Sequence, residues 1–224
     1  MQFQNEKDKV LIVDFGSQVT KLIARRIREL GVFSEIITPK ELIKIKEYHS
    51  VKGFILSGGP STVTNSRFQS VPKAIFEKKI PVLGICYGLQ LIAKLFGGEI
   101  KSSKKRREFG RAFLFKKKTS LLTKKYLITK KSVWMSHQDA VVKLPKNFKV
   151  IGSTSSSKLT IIENSKKKIY GVQFHPEVTH TENGKQIFKN FLFLICKARK
   201  QWSIVSQKSR LIKNIKKIVK KDKV

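Results

Sequence analysis

The chain has 224 residues, with 48 Lys and Arg against 15 Asp and Glu for a formal charge of +33, and it is long enough to bury a real core in one large or two small domains. Its two cysteines, Cys86 and Cys196, exclude a disulfide framework and point to a reducing, cytoplasmic compartment. The opening MQFQNEKDK lacks a charged-then-apolar leader, and no apolar run approaches the roughly 18 residues that span a bilayer, so no membrane role is expected.

Short apolar runs rich in β-formers alternate with helical patterns. VLIVDF (10–15) reads as a buried strand, and residues 18–30 follow as a helix with Leu22, Ile23, Ile27 and Leu30 on one face and Gly31 as its cap. EIIT (35–38), GFILS (53–57) and PVLGI (81–85) are further strands, and a helix carrying Leu89, Ile92, Ala93 and Phe96 starts directly after the last of them. Beyond Gly97-Gly98 the pattern changes to RAFLF, SVWMS, VIGST, LTIIE and KIYGVQF, short runs suited to antiparallel pairing. A helix over about 183–198 buries Ile187, Phe188, Phe191, Leu192 and Ile195. The alternation predicts an α/β fold: an open, mostly parallel central sheet with helices on both faces and a mixed or antiparallel extension. Residues 1–198 are expected to form this domain. Residues 199–224 form a linker and a basic amphipathic helix with Leu211, Ile212, Ile215, Ile218 and Val219 as its stripe, which either packs back on the domain or leads elsewhere.

Cys86 is the first candidate for chemistry. It lies between Gly84 and Gly88 where a strand meets a helix, a thiol version of the nucleophile elbow, whose tight turn leaves no room for side chains two positions away. Such a cysteine projects from a strand's carboxyl end at a helix N-terminus, whose free N–H groups favour a thiolate. The alternative is an inert core cysteine, which would leave both glycines without a reason. A thiolate needs a base, and among four histidines His175 stands out in KIYGVQFHPEV. A strand over 169–174 would deliver it, Pro176 would end the pairing, and Glu177 would lie on the same side to orient the ring. His175, Glu177 and His180 could instead suggest a metal site, but the proline spoils the order and the helix such a site requires, so no metal is expected. ILSGGPST (55–62) runs from a strand into Gly58-Gly59-Pro60, and the Gly59 and Tyr87 N–H groups would make an oxyanion hole. The same loop faintly suggests the SGG-x-D-S pyrophosphate loop of ATP pyrophosphatases, which Pro60 and the missing aspartate oppose. No G-x-x-x-x-G-K is present, so the chain has no recognisable ATP site.

GICYGLQ, SGGP and GVQFHPE together resemble the class I, triad-type glutamine amidotransferases over about residues 9–196. The opening VLIVDFGSQVTKLIARRIRELG, REFGRA (107–112), VWMSHQD (133–139) and HPEVTHT (175–181) are similar to the glutaminase domain of GMP synthases. The resemblance implies a flavodoxin-like fold and hydrolysis of L-glutamine, with ammonia passed on for the amination of XMP. It implies Cys86 as nucleophile, His175 as general base and acid, Glu177 as its orienter, and Gly59 and Tyr87 as oxyanion donors. Gly58, Gln90, Ser136 and His137 would hold the substrate. No cofactor is implied here; ATP and magnesium belong to an ATP-pyrophosphatase domain or subunit, the expected partner, toward which RLIKNIKKIVKK would lead. The family usually has S-H-G-D where this chain has Ser136-His137-Gln138-Asp139, and a left-handed backbone there would cost glutamine about 1 kcal/mol.

The positive charge would attract phosphate on any fold. Lysine dominates over arginine, the lysines are spread from Lys40 to Lys216, and no helix-turn-helix, RNP or zinc pattern accompanies them. A lysine-biased composition accounts for this, and no specific nucleic-acid partner is expected.

Overall fold

In the computed structural model, residues 7–102, 108–128 and 130–219 are described. The opening hexapeptide, Arg107 of REFGRA and residues 220–224 lie outside them. β1 (Lys9–Val13), β2 (Phe33–Ile37), β3 (Val51–Leu56), β4 (Val82–Ile85) and β11 (Ile169–Val172) pair in parallel in the order β2-β1-β3-β4-β11. The sheet continues antiparallel through β10 (Ile161–Asn164), β9 (Lys149–Ser153), β6 (Glu108–Lys116) and β7 (Lys131–His137). The expected parallel core and antiparallel extension are therefore both present. A separate antiparallel pair, β5 (Glu99–Ser102) with β8 (Asp139–Lys143), has no counterpart in the sequence reading. β5 is too short and too polar, as EIKS, to stand out by pattern.

The parallel strands are apolar on both faces, and each face takes different helices. Val10, Ile12, Ile55, Leu83, Ile85 and Val172 pack with Ile23 and Ile27 of α1 (Thr20–Glu29) and with Ile187 and Phe188 of α4 (Lys185–Lys189). The alternate residues Leu11, Val13, Phe54, Leu56 and Val82 pack with Leu42 of α2 (Pro39–Lys44) and Leu89 and Ile92 of α3 (Tyr87–Leu95). The period of two along each strand is thus read by two apolar layers, which is why these strands show continuous hydrophobic runs. Gly31 follows α1 at φ +85°, and its N–H donates to Arg28 O at 2.9 Å, the left-handed cap that glycine adopts without steric cost. α2 opens on a capping box, Thr38 with Glu41.

Two expectations are corrected. The helix over 183–198 is α4 followed by a π-helical turn, Asn190–Ile195, closed by Cys196 N–H donating to Phe191 O at 2.8 Å. The wider turn accompanies buried Asn190, whose amide donates to Leu122 O and Lys124 O at 2.9 and 2.7 Å. The strand expected over 169–174 ends at Val172; one further rung, Gln173 N–H donating to Thr160 O at 2.8 Å, keeps the register of Ile161 with Val172 before the chain bends. In α5 (Ile204–Val219), Ile212, Ile215 and Ile218 are exposed. Among the described residues no helix is long and apolar enough to cross a membrane.

Cys196 is buried against β3, where a Cβ added to Gly53 would meet its Sγ at 2.6 Å and the Phe191 ring at 3.2 Å. Gly53→Ala should therefore overpack this layer by about 1–3 kcal/mol, lowering the thermal midpoint by about 3–10 °C. Cys196→Ala in the same chain should recover part of the loss although it costs stability alone, a coupling that a double-mutant cycle of thermal melts would measure.

Candidate active site

β4 and β11 lie side by side in parallel, with Ile85 opposite Val172, so the residues just beyond them emerge at one end of the sheet. Cys86 N–H donates to Val172 O at 2.8 Å, carrying the pairing one residue past β4. Cys86 has φ +52° and ψ −103°, a conformation costing a non-glycine residue about 1–3 kcal/mol and held only by its surroundings. Those surroundings explain the two glycines. A Cβ on Gly84 would lie 2.5 Å from the carbonyl of Gly88, and one on Gly88 would lie 2.2 Å from Leu56 O. The turn is as tight as the elbow reading requires.

His175 arrives from the loop after β11, where its N–H donates to Trp134 O at 3.0 Å and its carbonyl accepts from Thr181 Oγ1 at 2.6 Å. The segment is a turn, not the extended strand expected, yet it brings the Nδ1 of His175 within 2.7 Å of Glu177 Oε1. Both side chains are buried, Glu177 completely. Burial disfavours the imidazolium, but hydrogen bonds to Cys86 and Glu177 and the charges of both outweigh it, raising His175 from 6.5 to about 10. A histidine that keeps its proton through neutral pH favours an ionised thiol beside it. The backbone carbonyl of Glu177 accepts from Arg26 Nε at 3.1 Å, fixing the turn from α1. His180 does not join them; its ring packs on Trp134 with centroids 4.5 Å apart.

The loop after β3 completes the surroundings. A Cβ on Gly58 would come within 3.1 Å of His175 Cε1 and 3.8 Å of Cys86 Cβ, and one on Gly59 within 2.7 Å of Phe15 O. Larger residues at either position would push the loop off the thiol. Tyr87 turns its side chain away: the hydroxyl donates to Gln69 O at 2.5 Å, the ring packs against Phe15, and burial pushes the phenol up to about 12. Its backbone N–H belongs to the first turn of α3, where helical partners are lacking.

Cys86, Gly59 and Ser136 lie on the shared wall of two cavities. One, of about 500 Å³, is lined also by Thr62, Tyr87, Gln90 and His137. The other, of about 350 Å³, is lined by Ser17, Trp134 and His175. Ser136 contributes its carbonyl, 3.6 Å from Cys86 Sγ. Gln90 is buried, and its Nε2 donates to Asp139 O at 2.8 Å, so it braces the pocket wall. The ring of His137 lies beside Glu108, Nε2 to Oε2 3.3 Å, and Thr154 and Ser156 also hold that carboxylate. Gln138 sits at the bend between β7 and β8 with no positive φ, so the glycine usual in the family confers no left-handed conformation that glutamine must strain to adopt.

Sequence reading missed the polar wall: Glu108, Asp139, Thr62 and Gln173. Thr62 Oγ1 donates to the Asp139 carboxylate, and Gln173 Nε2 lies 3.7 Å from Cys86 Sγ. Gln173 stood inside GVQFHPE, where a polar residue one place past a buried strand was a usable signal; Glu108 and His137 meet only through the β6–β7 register, which no local pattern announces.

The arrangement offers a thiol, a proton-holding histidine, a buried orienting carboxylate and glycine-lined approach for an oxygen, the parts of an acyl transfer through sulfur. The chain's relatives share this pattern's family. The family model for class-I glutamine amidotransferases matches residues 11–195. A GMP synthase (glutamine-hydrolysing) of Francisella philomiragia subsp. philomiragia is 48% identical over 218 residues, covering 96% of this chain and 42% of that protein. The GMP synthase of Brachyspira hyodysenteriae is 46% identical over 216 residues, again 96% and 42%. The chain thus spans about two fifths of the length of the curated relatives it matches. Among solved structures, one described as a candidate GMP synthase subunit from Thermoplasma acidophilum has a TM-score of 0.76 and 32% identity, covering 87% of this chain and 96% of that one. A glutamine amidotransferase from Thermotoga maritima shares the fold at a TM-score of 0.64 and 22% identity, with 78% of each chain covered. With its motifs carried on that family's fold and the family model matching residues 11–195, the chain belongs to the class I glutamine amidotransferases.

Proposed function

We propose that this chain is the glutaminase part of a GMP synthase. It hydrolyses L-glutamine to glutamate and ammonia, and the ammonia serves the ATP-dependent amination of XMP to GMP. The observation that carries the reading is the convergence of Cys86, His175 and Glu177 at the ends of two adjacent parallel strands, with His175 2.7 Å from Glu177 and lining one cavity with Cys86. The similarity to GMP synthases along nearly the whole chain supports this member of the family.

In the proposed cycle the Cys86 thiolate attacks the side-chain carboxamide carbon of glutamine lying in the larger cavity. The N–H groups of Gly59 and Tyr87 receive the oxyanion, while Gly58, Gln90, Ser136 and His137 shape the substrate pocket. His175 gives its proton to the departing nitrogen, the C–N bond breaks, and ammonia leaves behind a γ-glutamyl thioester. His175, now neutral, takes a proton from water, whose oxygen attacks the thioester. The C–S bond breaks, glutamate leaves, and the thiolate–imidazolium pair is restored. Glu177 holds the ring through Nδ1 in both states and stabilises its positive form.

Every group in this cycle comes from the chain, so it calls for no cofactor. ATP and magnesium belong to an ATP-pyrophosphatase domain or subunit, the partner that receives the ammonia. Residues 1–198 are the glutaminase unit in this reading and residues 199–224 its connection toward that partner. The setting is the cytoplasm, in keeping with two buried free cysteines.

A diazoketone analogue of glutamine should label Cys86 stoichiometrically, and Cys86→Ala should abolish both labelling and glutamate release. Glu177→Gln should lower the glutaminase rate by about 10²-fold or more with a smaller change in KM, because it withdraws support mainly from the charged ring. Mixed with a synthase polypeptide, ATP and XMP, the chain should make GMP from glutamine. A mixture that makes GMP from ammonium but never from glutamine would falsify the proposal.

The proton on His175 also links the site to stability. The folded chain binds it more tightly than the unfolded one, so this contribution is complete below pH 6.5 and is lost as pH rises toward about 10. Denaturant melts should show wild type losing more stability between those values than Glu177→Gln.

A further inference from the structure

Among the described residues the sulfur of Cys86 has two hydrogen-bonding neighbours besides His175, and they ask opposite things of it. The Ser136 carbonyl, at 3.6 Å, can only accept, so it pairs with the protonated thiol. The Gln173 side chain, at 3.7 Å through Nε2, can donate, and a donor favours the ionised sulfur. The distance suits sulfur, which is larger than oxygen. Gln173 is wholly buried, and its backbone N–H is anchored on Thr160 O at 2.8 Å.

Which end of the Gln173 amide faces the sulfur follows from its other neighbour. Gln90 Nε2 donates at 2.8 Å to the backbone carbonyl of Asp139, an acceptor only, so that atom must be the NH₂ end of Gln90. The same NH₂ group meets Gln173 at 3.5 Å, and an acceptor is needed there, namely Oε1. The NH₂ end of Gln173 is then left for Cys86. Behind Gln90, the Asp139 carboxylate is held by Thr62 on the wall of the larger cavity. One line of hydrogen bonds therefore runs from the Asp139 backbone carbonyl through Gln90 and Gln173 to the sulfur, and Thr62 holds the same residue by its side chain.

We propose that Gln173 is a positioning residue for the nucleophile: its amide, turned donor-first by Gln90, holds the Cys86 thiolate away from the Ser136 carbonyl and toward the substrate cavity. This rests on Cys86 being the nucleophile. It gives Gln90 a role through Gln173 in addition to its place in the pocket wall. The titratable groups around the sulfur, His175 after β11 and His137 and Asp139 across the larger cavity, stay the same in the leucine variants below, while Gln173→Glu adds one carboxylate; the Tyr87 phenol is turned away to Gln69 O.

The test uses the whole chain and two readouts, the ultraviolet absorbance of the thiolate and the rate of Cys86 alkylation by iodoacetamide, both followed against pH, with Cys86→Ala as the blank. Gln173→Leu should slow alkylation at neutral pH about tenfold and move its midpoint up by about one pH unit, the effect of losing one hydrogen bond to a charge. Gln173→Glu keeps the shape but turns a carboxylate on the sulfur, and should lose more. Gln90→Leu should lose less, and Gln90→Leu with Gln173→Leu should be no worse than Gln173→Leu alone, because the effect of Gln90 passes through Gln173. Unchanged absorbance and alkylation in Gln173→Leu would overturn the proposal; if that variant does not fold, the same result in Gln173→Glu overturns it. A wild-type chain whose Cys86 resists the glutamine diazoketone would instead overturn the functional reading itself, so the two failures are told apart.

Discussion

Everything at the site hangs on the in-register parallel pairing of β4 with β11. Two strands more than eighty residues apart in sequence end together, Ile85 opposite Val172, so Cys86 and Gln173 leave the sheet as neighbours and His175 follows within reach. A parallel pair needs a long crossover, and here the intervening chain supplies α3, the small β5–β8 sheet and all the antiparallel strands. Slipping β11 by one residue would turn Val172 out of its apolar layer and move His175 away from the thiol at once. The hydrophobic pattern that selects the register therefore selects the geometry of the site too.

His175 and Glu177 are buried, and that sets the site's electrostatics. Burial works against a charged His175, and its proton stays only because a carboxylate with no exposed surface and a sulfur both face the ring. Glu177 in turn is buried with one oxygen on His175 and its backbone carbonyl on Arg26. Removing one member leaves the other a buried charge without a partner, which costs far more than the pair yields when intact. Such a site resists piecemeal change. Its glycines share that property, since Gly84 and Gly88 are fixed by contacts to backbone, which cannot move aside as a flexible side chain can.

The parts of this architecture with a local signature were legible in the sequence. The elbow was readable because Gly84, Cys86 and Gly88 sit within five residues, and the parallel strands because both their faces are apolar. His175 and Glu177 were found two apart, although the reason offered, an extended strand, was wrong; a turn makes the pair. The illegible parts depend on distant partners. Nothing near Gln173 shows that the β10–β11 register will anchor its N–H on Thr160 O, and nothing near Glu108 shows that β6–β7 pairing will set it beside His137. The π-helical turn was hidden because Ile187, Phe188, Phe191, Leu192 and Ile195 suit an ordinary helix equally well. Gln138 shows the opposite error: a residue type borrowed from relatives suggested a strained backbone that the local bend does not contain.

The two sulfurs sit in opposite relations to folding. Cys86 owes its unusual backbone, its histidine and its donors to the assembled sheet, and an unfolded chain would return it to an ordinary thiol on relaxed backbone. Cys196 is sealed behind β3, where burial holds it as an unreactive thiol, and only opening the domain would uncover it. One reagent would therefore report on the same molecule twice, marking Cys86 ahead of Cys196 in chains that are intact and both alike in chains that have come apart.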